Sequence, residues 1–142
     1  MSEKKQTGGC LCRKVIYKFN KEDVLSAHHC HCKDCQKSTG SGKATILLIP
    51  ESALEVEGNL KFFTVTGTAG SNIARGFCPE CGSPLISFVE ENASVKFIKV
   101  GSIDDSSWIN VDSNFWSSTA NTWSPADEQI HSFTHNPDFV QN

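Results

Sequence analysis

A chain of 142 residues is one domain's worth, and 13 Lys+Arg against 16 Asp+Glu leave a formal charge of −3. That balance argues against the basic stripe of a nucleic-acid binder, and the longest apolar run, Ile46-Leu47-Leu48-Ile49, falls far short of the ~20 residues of a membrane-spanning helix. The opening Met-Ser-Glu-Lys-Lys-Gln-Thr has no apolar signal segment, so a cytoplasmic protein is expected, and seven Cys, an odd number, speak against a disulfide framework.

In chain order, the first expected strand is 14–19, with Val15, Tyr17 and Phe19 on one face. A second covers 43–49 and stops at Pro50, which cannot donate to a ladder. A third, 60–66, follows the turn Gly58-Asn59 and precedes Gly67. Residues 84–89 and 95–100 read as a hairpin. No window sustains a 3.6-residue period, so any helix is short, near Ser52 or just after Cys35. After Trp108 the pattern weakens into an irregular arm, with Trp116, Trp123, Phe133 and Phe139 as packing anchors. The expectation is a mostly β chain forming a single zinc-binding domain over 1–142. Its motifs lie between about 8 and 105, and the arm covers about 106–142.

The seven cysteines fall into three clusters, Cys10-Leu-Cys12, Cys30-His-Cys32-Lys-Asp-Cys35 and Cys78-Pro-Glu-Cys81. Clustering of this kind points to metal rather than to thiols used as small core residues. An extended Cys-x-Cys puts two sulfurs on one face, and Cys-x-x-Cys-Gly is a tight turn whose thiolates converge. Together Cys10, Cys12, Cys78 and Cys81 supply the four ligands of a closed structural zinc site. Cys30, Cys32 and Cys35 supply three, which leaves a tetrahedral position open, the mark of a catalytic zinc. Two zinc ions per chain are therefore expected. On an extended segment His28 shares the face of Cys30 and Cys32, which makes it the candidate to close the site or to act in catalysis. A thioredoxin-like redox role is disfavoured because Cys-x-x-Cys there opens a helix in a βαβ unit, and these surroundings read as strand.

The loop after the middle cluster carries Lys37, Ser38, Gly40 and Ser41. It reads either as a cradle for an anionic thiol substrate or as a solvated turn. The turn Gly101-Ser102-Ile103-Asp104-Asp105 is ambiguous in the same way.

The strings GGCLCRKVIY, CHCKDCQKSTGS, FCPECGSPL and VGSIDD together resemble the glutathione-dependent formaldehyde-activating enzyme family, also called S-(hydroxymethyl)glutathione synthase-like, to which the centromere protein V group is related. The likeness runs from about Gly8 to Asp105. It implies a β-tent of stacked antiparallel sheets with the same four-plus-three division of zinc ligands. It also implies carbon–sulfur lyase chemistry that joins a small thiol such as glutathione to a small aldehyde such as formaldehyde. Two positions depart from the family pattern: Arg13 stands where Gly is usual, and Gln36 where Arg is usual. Three thiolates mute the Lewis acidity of a zinc ion, which favours a thiol nucleophile over hydrolysis by zinc hydroxide. His28, His29, Lys37, Ser38 and Ser41 are the candidates to meet the developing alkoxide. The competing reading is a non-enzymatic zinc module that binds a thiol or a protein partner. The sequence leaves the oligomeric state open.

Overall fold

The computed structural model describes residues 5–67 and 70–137. Phe139, expected to anchor the arm, lies outside them. Among the described residues, eleven strands form two sheets. The smaller has the order β1-β2-β5, from β1 (Lys5–Gly9), β2 (Ile16–Asn20) and β5 (Glu55–Glu57). The larger has the order β11-β10-β3-β4-β9-β8-β7-β6. Its strands are β3 (Ser26–Cys30), β4 (Ala44–Pro50), β6 (Lys61–Thr66), β7 (Asn72–Phe77), β8 (Pro84–Val89), β9 (Val95–Lys99), β10 (Ser113–Phe115) and β11 (His131–Ser132). Helix α1 (Lys33–Thr39) follows β3.

The central strand β4 explains the layering. Its apolar run is buried on both faces, as a strand covered from both sides requires. Leu47 and Ile49 point into a core shared with Val15, Tyr17, Phe19, Leu85, Ile98 and Ile103, where the small sheet packs on the large one. Ile46 and Leu48 point the opposite way, towards Cys30, Cys35 and Phe115, with Phe97, Trp116 and Phe133 packed around them. A period of two therefore assigns one face of the large sheet to stability and the other to the thiols.

Every expected strand is present within a residue or two, and β8 and β9 pair antiparallel as the expected hairpin. The arm differs from the expectation. It is not merely irregular cover, because β10 pairs in parallel with β3 (Ser113 opposite His28, Phe115 opposite Cys30) and carries β11 beside it. Its three residues are too short to show a period, and Phe115 is 1% exposed. Trp116 packs against the thiol-bearing face, whereas Trp123 is exposed. Among the described residues, no helix is long and apolar enough to cross a membrane.

Candidate active site and metal centres

The first thiol cluster is built from two turns. After β1 the chain reverses, with Cys10 N–H donating to the Val15 carbonyl (3.0 Å) and Arg13 N–H to the Cys10 carbonyl (3.1 Å). Cys10-Leu-Cys12 is thus a turn, not the extended pair the spacing suggested. Arg13 takes φ +66°, a left-handed conformation easier for Gly. Its guanidinium pairs with Asp104 (3.2 Å). The second turn closes with Gly82 N–H on the Cys78 carbonyl (2.8 Å), and Gly82 holds φ +79°. Leu11 N–H donates to Ser83 Oγ (3.1 Å), which stitches the two turns together.

The four sulfurs lie within 4.8 Å of one another, with Cys10–Cys12 at 3.6 Å and Cys12–Cys78 at 3.7 Å. Ligands about 2.3 Å from a tetrahedral zinc stand about 3.8 Å apart. The set therefore fits a closed four-thiolate ion. N–H groups of Val15 and Glu80 point at the Cys10 and Cys78 sulfurs (3.4 Å each), and hydrogen bonds from Ser83 push the Cys81 thiol down to about 5. Cys10 is likewise held low, whereas at Cys12 the lowering effect of the Lys14 backbone is outweighed by burial and the neighbouring thiols, which push it up to about 11. The Gly101–Asp105 turn braces the cluster from behind. Tyr17 Oη meets Ser102 Oγ (2.6 Å), Asp104 N–H donates to the Thr7 carbonyl (2.9 Å), and a Cβ on Gly8 would overlap the Tyr17 hydroxyl.

The second cluster forms where β3 hands over to α1. Cys30 is the last residue of β3, Cys32 is the N-cap of α1 and accepts from Cys35 N–H (3.3 Å), and Cys35 faces inward from the first turn. The three sulfurs also lie within 4.8 Å of one another. Cys-x-x-Cys thus does open a helix, contrary to the sequence reading. The flanking strands β3 and β4 pair antiparallel, however, so the unit is not βαβ. The three thiols act on one another, and Cys35 is the one held low. Hydrogen bonds from Cys30 and Cys32, and then the charges of Lys99 and Arg75, hold it well below the usual thiol range. The same thiol–thiol bonds, together with burial, push Cys30 up.

His28 does not join this group. Its ring is buried and stacks on Phe115 (centroids 4.3 Å apart), with Nδ1 on Ser113 Oγ and Nε2 on Ser26 Oγ (2.7 Å each). Extended alternation through Cys32 was the premise for His28, and the strand ends at Cys30. The loop candidates also sit elsewhere. Lys37 and Ser38 lie on α1, where Ser38 Oγ donates to the Cys35 carbonyl (3.3 Å). Gly40 is the left-handed C-cap, and Ser41 N–H caps onto Thr39 Oγ1 (3.1 Å). None of the four lines the cavity beside the thiols.

That cavity, about 260 Å³, is bounded by Cys30, Cys32 and Cys35 on one side and by apolar Ile46, Ile73, Phe97 and Phe115 around them. Its polar lining comes from Lys33 and Asp34 at the start of α1, from the arm, and from the sheet. Arg75 stands opposite Ser87 across β7 and β8, Ser87 opposite Phe97 across β8 and β9, and Lys99 two residues along β9 on the same face. Lys99 is 9% exposed, and its Nζ donates to Ser87 Oγ (2.8 Å). Arg75 Nη2 lies 4.0 Å from Cys35 Sγ. Burial pushes the Lys99 ammonium below its usual range, and the Cys35 charge opposes this.

The arm supplies the remaining wall through Phe115, Trp116, Thr119 and Asn136. Trp116 takes φ +59°, and its indole N–H is held by Asn136 Oδ1 (2.8 Å). Gln36 is the clasp: its Nε2 donates to the carbonyls of His31 (2.8 Å) and Thr119 (3.1 Å), and its Oε1 accepts from Asn121 (3.0 Å). Sequence reasoning missed Arg75 and Lys99 because they are single basic residues inside strands with no motif around them. A charged residue alternating with apolar ones on an otherwise buried face was the available signal.

A family model described as glutathione-dependent formaldehyde-activating enzyme matches residues 5–119. No curated protein is significantly similar in sequence. Among solved structures, a structural-genomics protein from Rhodobacter sphaeroides superimposes with a TM-score of 0.54 at 22% identity, over 73% of this chain and 90% of that one. At that identity the likeness speaks for the fold alone.

Proposed function

Because the chain belongs to the glutathione-dependent formaldehyde-activating enzyme family, we propose that its three-cysteine cavity joins a small thiol such as glutathione to a small aldehyde such as formaldehyde, and reverses that step as a carbon–sulfur lyase. The observation that carries this reading is a set of three convergent thiols at the wall of a cavity, with no fourth Cys, His, Asp or Glu of the described residues joining them. We assign one zinc to Cys30, Cys32 and Cys35, and a second, structural zinc to Cys10, Cys12, Cys78 and Cys81.

Zinc on three thiolates would supply a positive centre that favours the thiolate form of an incoming thiol. The protein's own groups do the rest. β3 and the first turn of α1 fix the three cysteines on one side of the cavity. Ile46, Phe97 and Phe115 keep the sulfur environment dry, which strengthens every charge interaction inside it. The arm closes the cavity from outside, so a substrate thiol and aldehyde meet in a confined space.

A closed structural role for the second cluster would need a fourth ligand. His28, its best candidate, has both ring nitrogens on hydroxyls instead. The test uses ¹³C-formaldehyde and glutathione, with exchange between the aldehyde hydrate and the S-hydroxymethyl adduct followed by NMR. Zinc-loaded protein should speed that exchange above the spontaneous rate, and Cys32→Ser should abolish the gain. No acceleration with glutathione or any simple thiol would refute the assignment.

A further inference from the structure

Arg75 and Lys99 present two positive groups on the cavity-facing side of the large sheet, and neither is explained by the fold. Among the described residues, neither makes an ion pair with a carboxylate, whereas Lys5, Arg13, Lys14, Lys18 and Lys96 all do. Lys99 is nearly out of water, yet among the described residues its ammonium, with three donors, has one hydroxyl acceptor at 2.8 Å. An ammonium group buried that far is strongly unfavourable unless anions face it. The thiols of Cys30, Cys32 and Cys35 line the same cavity, and Arg75 stands beside Lys99 there as a second cation. Two cations that repel each other in a low-dielectric cavity are a poor choice for stability alone.

Position adds a second argument. A substrate sulfur completing the three-thiol set would lie near Cys35, and Arg75 Nη2 is 4.0 Å from the Cys35 sulfur. The oxygen of a carbon bonded to that sulfur would reach farther into the cavity, which Arg75, Ser87 and Lys99 line. These are the polar groups the sheet places there, in one lateral row and the next. Lys37, Ser38 and Ser41, the earlier candidates for this oxygen, do not line the cavity.

Resting on the thiol–aldehyde reading above, we infer that Lys99, with Arg75 beside it, is a catalytic residue that receives the negative oxygen formed on the aldehyde carbon. The thiolate sulfur bonds to the carbonyl carbon, and the C=O π pair moves onto oxygen. That oxygen accepts hydrogen bonds from the Lys99 ammonium and the Arg75 guanidinium. The proton given up by the thiol returns to the oxygen from solvent at the cavity mouth, which leaves a neutral S-hydroxymethyl product. In reverse, the same donors hold the alkoxide while the carbon–sulfur bond breaks. Donors preset where charge develops act at the transition state rather than on substrate binding.

The experiment compares zinc-loaded wild type, Lys99→Met, Lys99→Arg and Arg75→Gln. Exchange NMR reads the rate, and thiol affinity is read from charge-transfer absorption of the cobalt-substituted proteins titrated with glutathione. Lys99→Met preserves length in an apolar cavity, and Arg75→Gln probes the same oxygen from a less buried position. The expected result for Lys99→Met is a rate gain reduced about 100-fold with glutathione affinity within about threefold of wild type. Lys99→Arg should recover part of the rate, and Arg75→Gln should show a smaller loss of the same kind. If Lys99→Met keeps its rate within about threefold, the inference is wrong. If metal content or thiol affinity falls together with the rate, and Lys99→Arg restores both, the cations serve only as counter-charges to the cysteines and the inference is equally wrong. A wild type that accelerates nothing would instead remove the functional reading itself, an outcome distinct from an active wild type beside an unimpaired Lys99→Met.

Discussion

Replacing Cys78 by Ser should damage the protein far more than replacing Cys32. The two clusters differ in the length of chain they close. Cys12 and Cys78, whose sulfurs are 3.7 Å apart, are separated by 66 positions. Cys30, Cys32 and Cys35 lie within one strand end and one helical turn. Closure entropy grows as (3/2)RT ln n, so opening the long loop instead of a five-residue one differs by about 2 kcal/mol. Cys78 is also fully buried, with the Glu80 N–H aimed at its sulfur, so a serine hydroxyl would sit in a pocket shaped for a larger atom. At about 3 °C per kcal/mol for a chain of this size, Cys78→Ser should melt at least ~6 °C below Cys32→Ser. If structural zinc contributes anything near the roughly 10 kcal/mol seen in zinc peptides, Cys78→Ser will not fold at all. Thermal unfolding by circular dichroism, in a zinc-buffered solution and with metal content measured on the same samples, reads this directly. Equal melting temperatures, or a less stable Cys32→Ser, would refute the argument that the four-thiol cluster is the staple.

Two further outcomes follow from contacts in the structure. A Cβ on Gly42 would overlap the Ser124 side chain and come within 3.0 Å of the Trp123 ring, so Gly42→Ala should push the arm off the segment between α1 and β4. That should lower stability by about 1–3 kcal/mol, and an unchanged melting temperature would show that the arm is not held there. The third outcome concerns acid. His29 is pushed down to about 4 by burial first, then by Lys43 and His31. The unfolded chain therefore takes up a proton that the folded one refuses, and stability present above about 6.5 is lost as pH falls towards 4. His29→Gln should flatten the pH dependence of the denaturation midpoint across that window relative to wild type, and parallel curves would count against the assignment.

The strands were legible because β4, β8 and β9 carry uninterrupted apolar or alternating runs between turn residues. The division of the cysteines was legible because metal spacing is local chemistry. What failed did so where long-range contacts decide. Three residues of β10 have no period of their own and become a strand only against β3. His28 was drawn to the metal by an alternation that stops at Cys30, and the hydroxyls that hold it belong to β10 and to the start of its own strand. Lys37, Ser38, Gly40 and Ser41 are near the thiols in sequence, but the helix turns them away. Arg75 and Lys99 come to the thiols across strand pairings with β8 and β4 that no local pattern announces.

The arm's place in the chain has a bearing on synthesis. The groups that form both thiol clusters and both cavity cations end at Lys99, while the outer wall comes from residues 115–136. At roughly 5–20 residues per second, Cys30, Cys32 and Cys35 emerge from the ribosome seconds before the segment that covers them. A metal ion held by Cys30, Cys32 and Cys35 would thus reach them through an open face. Only when Phe115 pairs beside Cys30 and Gln36 takes hold of Thr119 and Asn121 does that face become a chamber. On the proposed reading, the order of translation would separate metal delivery from substrate capture.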